Sequence, residues 1–267
     1  MRKRTQLLAL CAAAVLILGT QAVAAIVTVP AGLNPGDPYR LIFPTSTEIY
    51  GRSSAGGPTD ISGYNTFATN TATAVTELND LATTWLAVVS VEQSGSPTFV
   101  SAKSNTGTDP GFDGVGVPIY NLAGQIVATG NADLWDGSIA NLINVTELGT
   151  APADQGDGDD FLVWTGSQPD GTGNSDNSLI TPSGGWIRYG NTALTTSSAS
   201  FPFKSWIGSL GGETGWDANG NTNSEMPIYV MSGMLTAPEQ AVVPEPGTFA
   251  LALLGLMGLV FCVRSRK

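Results

Sequence analysis

The sequence predicts an α+β fold with long loops, and three observations lead to this prediction. Apolar residues at helical spacing occur between Ile61 and Leu81. Several short apolar segments of strand length are separated by polar stretches rich in Gly, Asn and Asp. The 267-residue chain also contains 33 glycines and 16 prolines, which favour turns. One helix, several short strands and long loops together indicate an α+β domain.

The chain begins with basic, apolar and small residues, in that order. Residues 2–4 are Arg-Lys-Arg, an uncharged apolar run extends over Leu7–Gly19, and Ala24 and Ala25 follow. This order predicts a secretory signal peptide at residues 1–25, which directs the chain to the Sec translocon and is removed after Ala24 or Ala25. An N-terminal membrane anchor is the alternative, but the apolar run at helical rise is shorter than the hydrocarbon core of a bilayer.

Residues 26–243 are expected to form one exported domain, with its core at about 39–236. A short strand is predicted at Tyr39–Phe43, where Pro44 ends it. Asp60 is a candidate N-cap for the helix, because its carboxylate can accept from a free backbone N–H of the first turn. A buried strand is predicted at Trp85–Val91, and Val117–Tyr120 resembles an edge strand because Pro118 cannot donate to a ladder. Further apolar segments follow at Leu134–Gly137, Phe161–Trp164, Trp186–Tyr189, Ser205–Gly208 and Pro227–Met231.

Charge and residue usage exclude several classes of protein. The sequence has no His, so a histidine base, a His-ligated metal and a His-ligated haem are excluded. The net charge is −11, and between residues 26 and 243 it becomes −16, which excludes a basic nucleic-acid surface. Cys11 and Cys262 both lie in the terminal segments, so the exported domain has no disulfide. An acidic surface rich in Asn, Ser, Thr and Gly suits a protein among extracellular polysaccharides and cations.

The C-terminal end combines a short motif, an apolar segment and basic residues. Pro244, Glu245 and Pro246 precede sixteen uncharged residues, 248–263, which predict a marginal transmembrane helix. The basic residues that follow place the tail in the cytoplasm, and they are Arg264, Arg266 and Lys267. Residues 244–267 thus resemble the PEP-CTERM sorting signal of Gram-negative bacteria. This resemblance implies that the helix holds the exported chain in the inner membrane until an exosortase cuts near Pro244–Pro246. A permanent C-terminal anchor is the alternative.

Three segments within the domain resemble successive landmarks of endostatin, a collagen-derived domain with a C-type-lectin-like fold. They are Gly116–Leu122, Leu134–Ser138 and Val163–Ser167, and Trp186 and Pro227–Ser232 follow in the same order. The resemblance covers about residues 60–232 and implies a loop-rich endostatin/C-type-lectin-like domain. The cysteines, zinc-binding histidines and arginine-rich heparin face of endostatin have no counterpart here, so the resemblance implies the fold and not those functions.

Two oxygen-rich segments are candidates for Ca²⁺, which prefers several carboxylate and carbonyl oxygens. Asp157 and Asp159 belong to an acidic, Gly-rich run at 154–160, for which a solvated surface loop is the favoured alternative. Asp217 and Asn219 open a segment with an oxygen-bearing side chain at every second position up to Glu225. Neither segment has EF-hand spacing, and the second also fits a turn before the last strand.

Gln168-Pro169-Asp170 resembles the loop with which C-type lectins bind Ca²⁺ and a sugar together. The resemblance implies Gln168 and Asp170 as ligands, although the later Trp-Asn-Asp segment of those lectins is represented only by Trp216-Asp217-Ala218-Asn219. Calcium-dependent carbohydrate binding is therefore an alternative function. A glycan-acting hydrolase is a further one, since it needs two carboxylates, for which Asp136 and Glu147 are candidates.

The six tryptophans admit two interpretations. They could form a sugar-stacking platform, but burial in the core is favoured, because a fold without disulfides depends on large apolar side chains. We therefore expect an exported, non-catalytic cell-surface or matrix protein, processed by exosortase and associated with exopolysaccharide. Its other partners are the Sec translocon and, transiently, the inner membrane; nucleic acid is not expected.

Overall fold

The computed structural model of the chain describes residues 25–51, 56–92, 99–152, 161–173, 177–180, 187–196, 205–210 and 225–239. Within these ranges the protein is mixed α+β, with few helices and mostly sheets. The strands are β1 (Pro38–Pro44), β2 (Ile49–Tyr50), β3 (Trp85–Ala87), β4 (Val91–Glu92), β5 (Phe99–Val100), β6 (Ile119–Asn121), β7 (Ile126–Ala128), β8 (Leu162–Trp164), β9 (Arg188–Asn191), β10 (Ser209–Leu210), β11 (Glu225–Met226), β12 (Tyr229–Ser232) and β13 (Leu235–Thr236). The helices are α1 (Ile61–Thr73), α2 (Thr76–Asn79), α3 (Ala102–Thr106) and α4 (Asn131–Leu134).

The main sheet is built around β1. Its strand order is β3-β12-β1-β6-β7, and β13 also pairs with the beginning of β1. β1 runs antiparallel to β12 and parallel to β6, with Phe43 opposite Val230 and Leu41 opposite Tyr120. β13 continues the line of β12 along β1, so that Leu235 lies opposite Tyr39. A strand near the start of the domain and two strands near its end therefore form the centre of one sheet.

The main sheet is buried on both faces. Tyr39, Leu41 and Phe43 of β1 belong to one core cluster, whereas Ile42 belongs to a second, as alternation along a strand requires. In β12, Val230 contributes to the first cluster, and its two neighbours, Tyr229 and Met231, contribute to the second. Helix α1 packs against β3 on the side of the first cluster.

Smaller sheets complete the architecture. β8 pairs with β9, and β9 pairs with β10, all antiparallel. β11 pairs with β2, and β4 pairs with β5. The β8 sheet is joined to the end of the main sheet, since the backbone N–H of Trp164 donates to the carbonyl of Pro227 at 2.8 Å.

The helix predicted at Ile61–Leu81 is present but divided. Asp60 caps α1 as predicted, because its Oδ1 accepts from the N–H of Gly63 at 2.9 Å. α1 then ends at Thr73, and Val75 adopts extended backbone angles before α2 begins at Thr76. Val75 is partly buried and Leu78 fully buried, and both contact the first core cluster across the break. The β-branched Val75 is also a weaker helix former than the preceding Ala74.

The strand predicted at Trp85–Val91 is also divided, and the cause is a change of partner. β3 pairs with β12, and Val88 still donates to the carbonyl of Tyr229 at 2.8 Å. Ser90 instead donates to the carbonyl of Thr165 at 2.7 Å, and its own carbonyl accepts from Leu179. The chain thus leaves the main sheet and bridges to the β8 region.

The prediction that Val117–Tyr120 forms an edge strand was wrong. β6 begins at Ile119 and lies between β1 and β7, inside the sheet. Pro118 precedes the strand, so its missing N–H costs no ladder bond, while its carbonyl accepts from Arg40 at 2.9 Å.

Candidate functional site

The Gln168–Asp170 loop is a tight, self-bonded turn. The carbonyl of Gln168 accepts from the N–H of Gly171 at 2.9 Å, and the N–H of Gln168 donates to the carbonyl of Thr172 at 2.7 Å. Oδ1 of Asp170 accepts from both the N–H and the hydroxyl of Thr172, at 3.0 and 2.6 Å. Gly171 has φ +74 and lies against the ring of Trp135, 2.6 Å from where a Cβ would stand, so this turn requires glycine. The loop is rigid, and one oxygen of its exposed carboxylate is already engaged.

A cation of the protein lies near this loop. The guanidinium of Arg188 donates through Nη1 to the carbonyl of Gly208, whose backbone packs against Pro169. Burial lowers the pKa of Arg188, and the Coulombic interaction with Asp170 acts in the opposite direction. A Ca²⁺ ion at Asp170 would therefore be repelled by the positive charge of Arg188.

The other predicted ligands cannot be placed beside Gln168 and Asp170. Asp157, Asp159, Asp217 and Asn219 lie outside the described residues. Within the ranges that the structure describes, no three Asp, Glu, His or Cys side chains come together in a group that could hold a metal ion. The calcium site stays a prediction.

The described tryptophans belong to the core. Trp85, Trp135, Trp164 and Trp206 are between 0 and 6% exposed. Trp135 and Trp206 stack with ring centroids 6.0 Å apart, and Nε1 of Trp135 donates to the carbonyl of Thr108. Trp186 and Trp216 lie outside the described residues. For these four rings, the interpretation as core residues is confirmed, and none of them offers a face to a sugar.

The two carboxylates considered for glycan hydrolysis have local bonding roles. Oδ1 of Asp136 accepts from the N–H and the hydroxyl of Ser138, at 3.0 and 3.1 Å. Glu147 is buried, and its carboxylate accepts from the N–H and hydroxyl of Ser46, just after β1. The carboxylate of Asp136 therefore stabilises its own turn, and that of Glu147 stabilises the distant bend at Ser46.

The sorting motif Pro244, Glu245 and Pro246, the segment 248–263 and the basic residues Arg264, Arg266 and Lys267 lie outside the described residues, as does Ala24. The structure does show where the chain leaves the domain. The N–H of Ala237 donates to the carbonyl of Asp37, and its carbonyl accepts from Gly36, both at 2.9 Å. Ala237 is buried, whereas Pro238 and Glu239 are exposed. The last core contact of the described chain is thus six residues before the motif.

One surface feature was missed by the sequence analysis. Phe112, Val115 and Met234 are the most exposed large apolar residues among those described, at 91, 88 and 66%. Phe112 and Val115 lie in a loop of Gly, Asp and Pro, where isolated apolar residues give no periodic signal. The only sequence signal for this feature was the presence of large apolar residues within a loop of Gly, Asp and Pro.

Two comparisons with known proteins bear on the sorting signal. Residues 242–267 match the family model of the PEP-CTERM protein-sorting motif. No curated protein matches the chain. The match confirms the sorting signal predicted at 244–267: the chain is an exported protein with a membrane-anchored sorting signal, processed by exosortase. Among the described residues, no helix combines the length and apolar character needed to cross a membrane, and 248–263 is not among them.

Proposed function

We propose that the exported domain is a non-catalytic cell-surface or matrix protein that exosortase releases from the membrane and that associates with exopolysaccharide. The observation that carries this proposal is the sorting motif at 242–267, which begins five residues beyond the last core contact at Ala237. A cut at Pro244–Pro246 leaves every contact of the described domain intact. The folded domain can therefore be released without unfolding.

The other end of the domain supports removal of a signal peptide. Ile26 packs against the first core cluster, and the N–H of Val27 donates to the carbonyl of Leu122 at 2.8 Å. A cut after Ala24 or Ala25 removes neither contact. The two proposed cuts thus bracket the part of the chain that packs as a domain.

An endostatin/C-type-lectin-like architecture is part of this proposal. Four landmarks of the resemblance lie among the described residues, and three of them place side chains in the second cluster, namely Ile119, Leu134 with Trp135, and Val163. Tyr229 and Met231 of the last landmark join them. Side chains from segments up to about a hundred residues apart thus share one core, which is compatible with an endostatin/C-type-lectin-like arrangement.

Association with exopolysaccharide is supported by the charge and composition of the surface, not by a formed binding groove. The region 26–243 has a charge of −16 and many hydroxyl and amide side chains. Hydroxyl and amide side chains can form hydrogen bonds with glycan hydroxyls, and a cation held by surface carboxylates can also bind an acidic glycan. A non-catalytic role is supported by Asp136 and Glu147, whose carboxylates bind neighbouring turns.

The test is the intact mass of the mature protein, recovered from the cell surface and the medium of a host that has an exosortase. We expect a chain that begins after Ala24 or Ala25 and ends near Pro244–Pro246. The triple variant Pro244→Ala, Glu245→Ala, Pro246→Ala should stay in the membrane fraction with 249–263 attached. Gln240→Ala, outside the matched motif, is the control and should be released normally. A wild-type mature protein that retains 249–263 would reject release in favour of a permanent anchor.

Calcium-dependent sugar binding, through Gln168 and Asp170, is the alternative function. Native mass measured with and without a chelator distinguishes it, since a bound Ca²⁺ would be lost with the chelator. We expect no such change, because one oxygen of Asp170 already accepts from Thr172 and the guanidinium of Arg188 lies near this loop. Glycan-array binding that disappears with the chelator would favour the lectin-like function instead.

A further inference from the structure

Three exposed apolar side chains lie in two segments that both bond to Arg40 near the beginning of β1, and we call them the exit face: Phe112, Val115 and Met234. Val115 precedes β6, and β6 runs parallel to β1, so Val115 lies near the beginning of β1. Met234 lies between β12 and β13, which both run antiparallel to β1 and end toward its beginning. The topology therefore brings Val115 and Met234 toward the beginning of β1.

Arg40 connects the parts of the exit face. Its Nη1 donates to the carbonyls of Thr106 and Ser232, at 2.9 and 3.0 Å, and its Nη2 donates to the carbonyl of Gly107. One guanidinium thus joins the loop that carries Phe112 to the turn that carries Met234. Burial lowers the pKa of Arg40, and Asp113, next to Phe112, acts in the opposite direction.

The loop that carries Phe112 is held in shape by its own acids. Asp109 accepts from the N–H of Gly111 at 2.9 Å and forms an ion pair with Lys103 at 3.6 Å. Asp113 accepts from the N–H of Asp109 at 2.8 Å. The backbone carbonyl of Val115 accepts from Asn131 at 2.8 Å. These bonds hold the loop in a conformation that presents the ring of Phe112 almost entirely to solvent.

The chain leaves the domain at this same end. After Met234 it follows β1 toward its beginning, through Leu235 and Thr236, and passes Asp37 at Ala237. Only ten residues, 238–247, separate Ala237 from the apolar segment that begins at 248. Ten residues span at most about 35 Å when extended and about 18 Å as a flexible chain. Because the tether is shorter than the diameter of the domain, the side at which the chain leaves cannot be turned away from the membrane.

We propose that the exit face rests on the zwitterionic headgroup surface of the membrane while the C-terminal segment is inserted, with Phe112, Val115 and Met234 reaching the acyl boundary. This inference rests on the proposed function, since it requires a chain held by its sorting signal. Such short tethers keep the exit face at an effective concentration on the order of millimolar near the membrane surface. The contact therefore forms in the tethered chain even if it is too weak to hold the free domain. Exosortase cleavage removes the tether, and the released domain then leaves the surface. The acids beside Phe112 select a zwitterionic over an anionic surface.

The test uses the chain 26–267 with Cys262→Ala, in which Phe112→Cys is the only thiol and carries an environment-sensitive fluorophore. The protein is added from detergent to preformed phosphatidylcholine vesicles that contain a headgroup nitroxide quencher. Leu148→Cys is the matched control: Leu148 is 51% exposed and follows Glu147, which binds Ser46 at the far end of β1. Met234→Cys gives a second probe on the exit face, and thermal unfolding checks that each variant is folded.

We expect at least twofold stronger quenching at positions 112 and 234 than at 148. Quenching should fall to the level of position 148 when thirty per cent of the lipid is phosphatidylglycerol or when residues 248–267 are removed. Equal quenching at 112, 234 and 148 in a chain that floats with the vesicles would overturn this inference alone. A chain that does not float would overturn the proposed function and this inference with it. A concentration-dependent shift of the 112 probe in detergent without vesicles would instead assign the exit face to a second copy of the chain.

Discussion

The hydroxyl of Tyr229 is a buried polar group that lacks a hydrogen-bond partner among the described residues. Its ring packs against Trp206 in the second core cluster, with centroids 6.1 Å apart. Tyr64 is equally buried, but its hydroxyl donates to the carbonyl of Tyr50 at 3.1 Å. The two tyrosines are therefore equally buried and differ in whether the hydroxyl oxygen has a hydrogen-bond partner among the described residues.

Tyr229→Phe should raise the free energy of unfolding by about 1 kcal/mol, because it removes a buried hydroxyl that has lost its bonds to water. Tyr64→Phe is the matched control and should lower it by about 1 kcal/mol, because it leaves the carbonyl of Tyr50 without its donor. Equilibrium urea unfolding of both variants measures the difference. Equal destabilisation of the two proteins would show that the Tyr229 hydroxyl is bonded.

At the scale of single elements, the sequence predicted those whose signals are local. Asp60 and the apolar spacing after it identified the start of α1, and the apolar run ending at Pro44 identified β1. The strand breaks at Val88–Ser90 because Ser90 bonds to the carbonyl of Thr165, and the helix breaks at Val75, which adopts extended backbone angles. The residues around each break do not indicate such contacts. The apolar spacing therefore predicted one continuous helix and one continuous strand, and both were too long.

Ala82 follows α2 with φ +47, a left-handed backbone conformation that a Cβ disfavours. Ala82→Gly should therefore raise the free energy of unfolding by about 0.5–1 kcal/mol. Glycine relieves the strain of the positive φ, and this gain exceeds the cost of its greater entropy in the unfolded chain. Ala74→Gly is the control, since Ala74 is also exposed but has φ −67, and this variant should cost about 0.5–1 kcal/mol. Thermal unfolding of the pair gives opposite shifts in Tm. Shifts of the same sign would contradict the positive φ at Ala82.

At the scale of the whole molecule, the contacts that define the domain join distant parts of the chain. Phe43 lies opposite Val230, and Arg40 bonds to Ser232, across about 190 residues. The sorting signal could be predicted completely because its three parts are consecutive in the sequence. The exit face could not, because the segments that carry Phe112 and Met234 are related only through the bonds of Arg40 to Gly107 and Ser232.

The whole molecule should also show one dependence on pH, on the alkaline side. The sequence has no His, and residues 26–243 have no Cys, so neither side chain titrates between about pH 6 and 9. Burial raises the pKa values of Tyr64 and Tyr229 above the usual value of about 10. Below pH 10 both tyrosines are protonated in the folded and the unfolded chain, so their contribution to stability is constant. Above pH 10 the unfolded chain loses protons that the folded protein retains, and stability falls.

Each of these two tyrosines should lower the free energy of unfolding by about 1 kcal/mol between pH 10 and pH 11. Urea unfolding at pH 8, 10 and 11 measures this loss, and tyrosinate absorbance shows whether ionisation accompanies unfolding. Tyr229→Phe removes one such group and should reduce the loss by about 1 kcal/mol, while its stability at pH 8 stays above that of the wild type. A variant that loses as much stability as the wild type between pH 10 and 11 would mean that Tyr229 ionises within the folded protein, which its burial in the core does not allow.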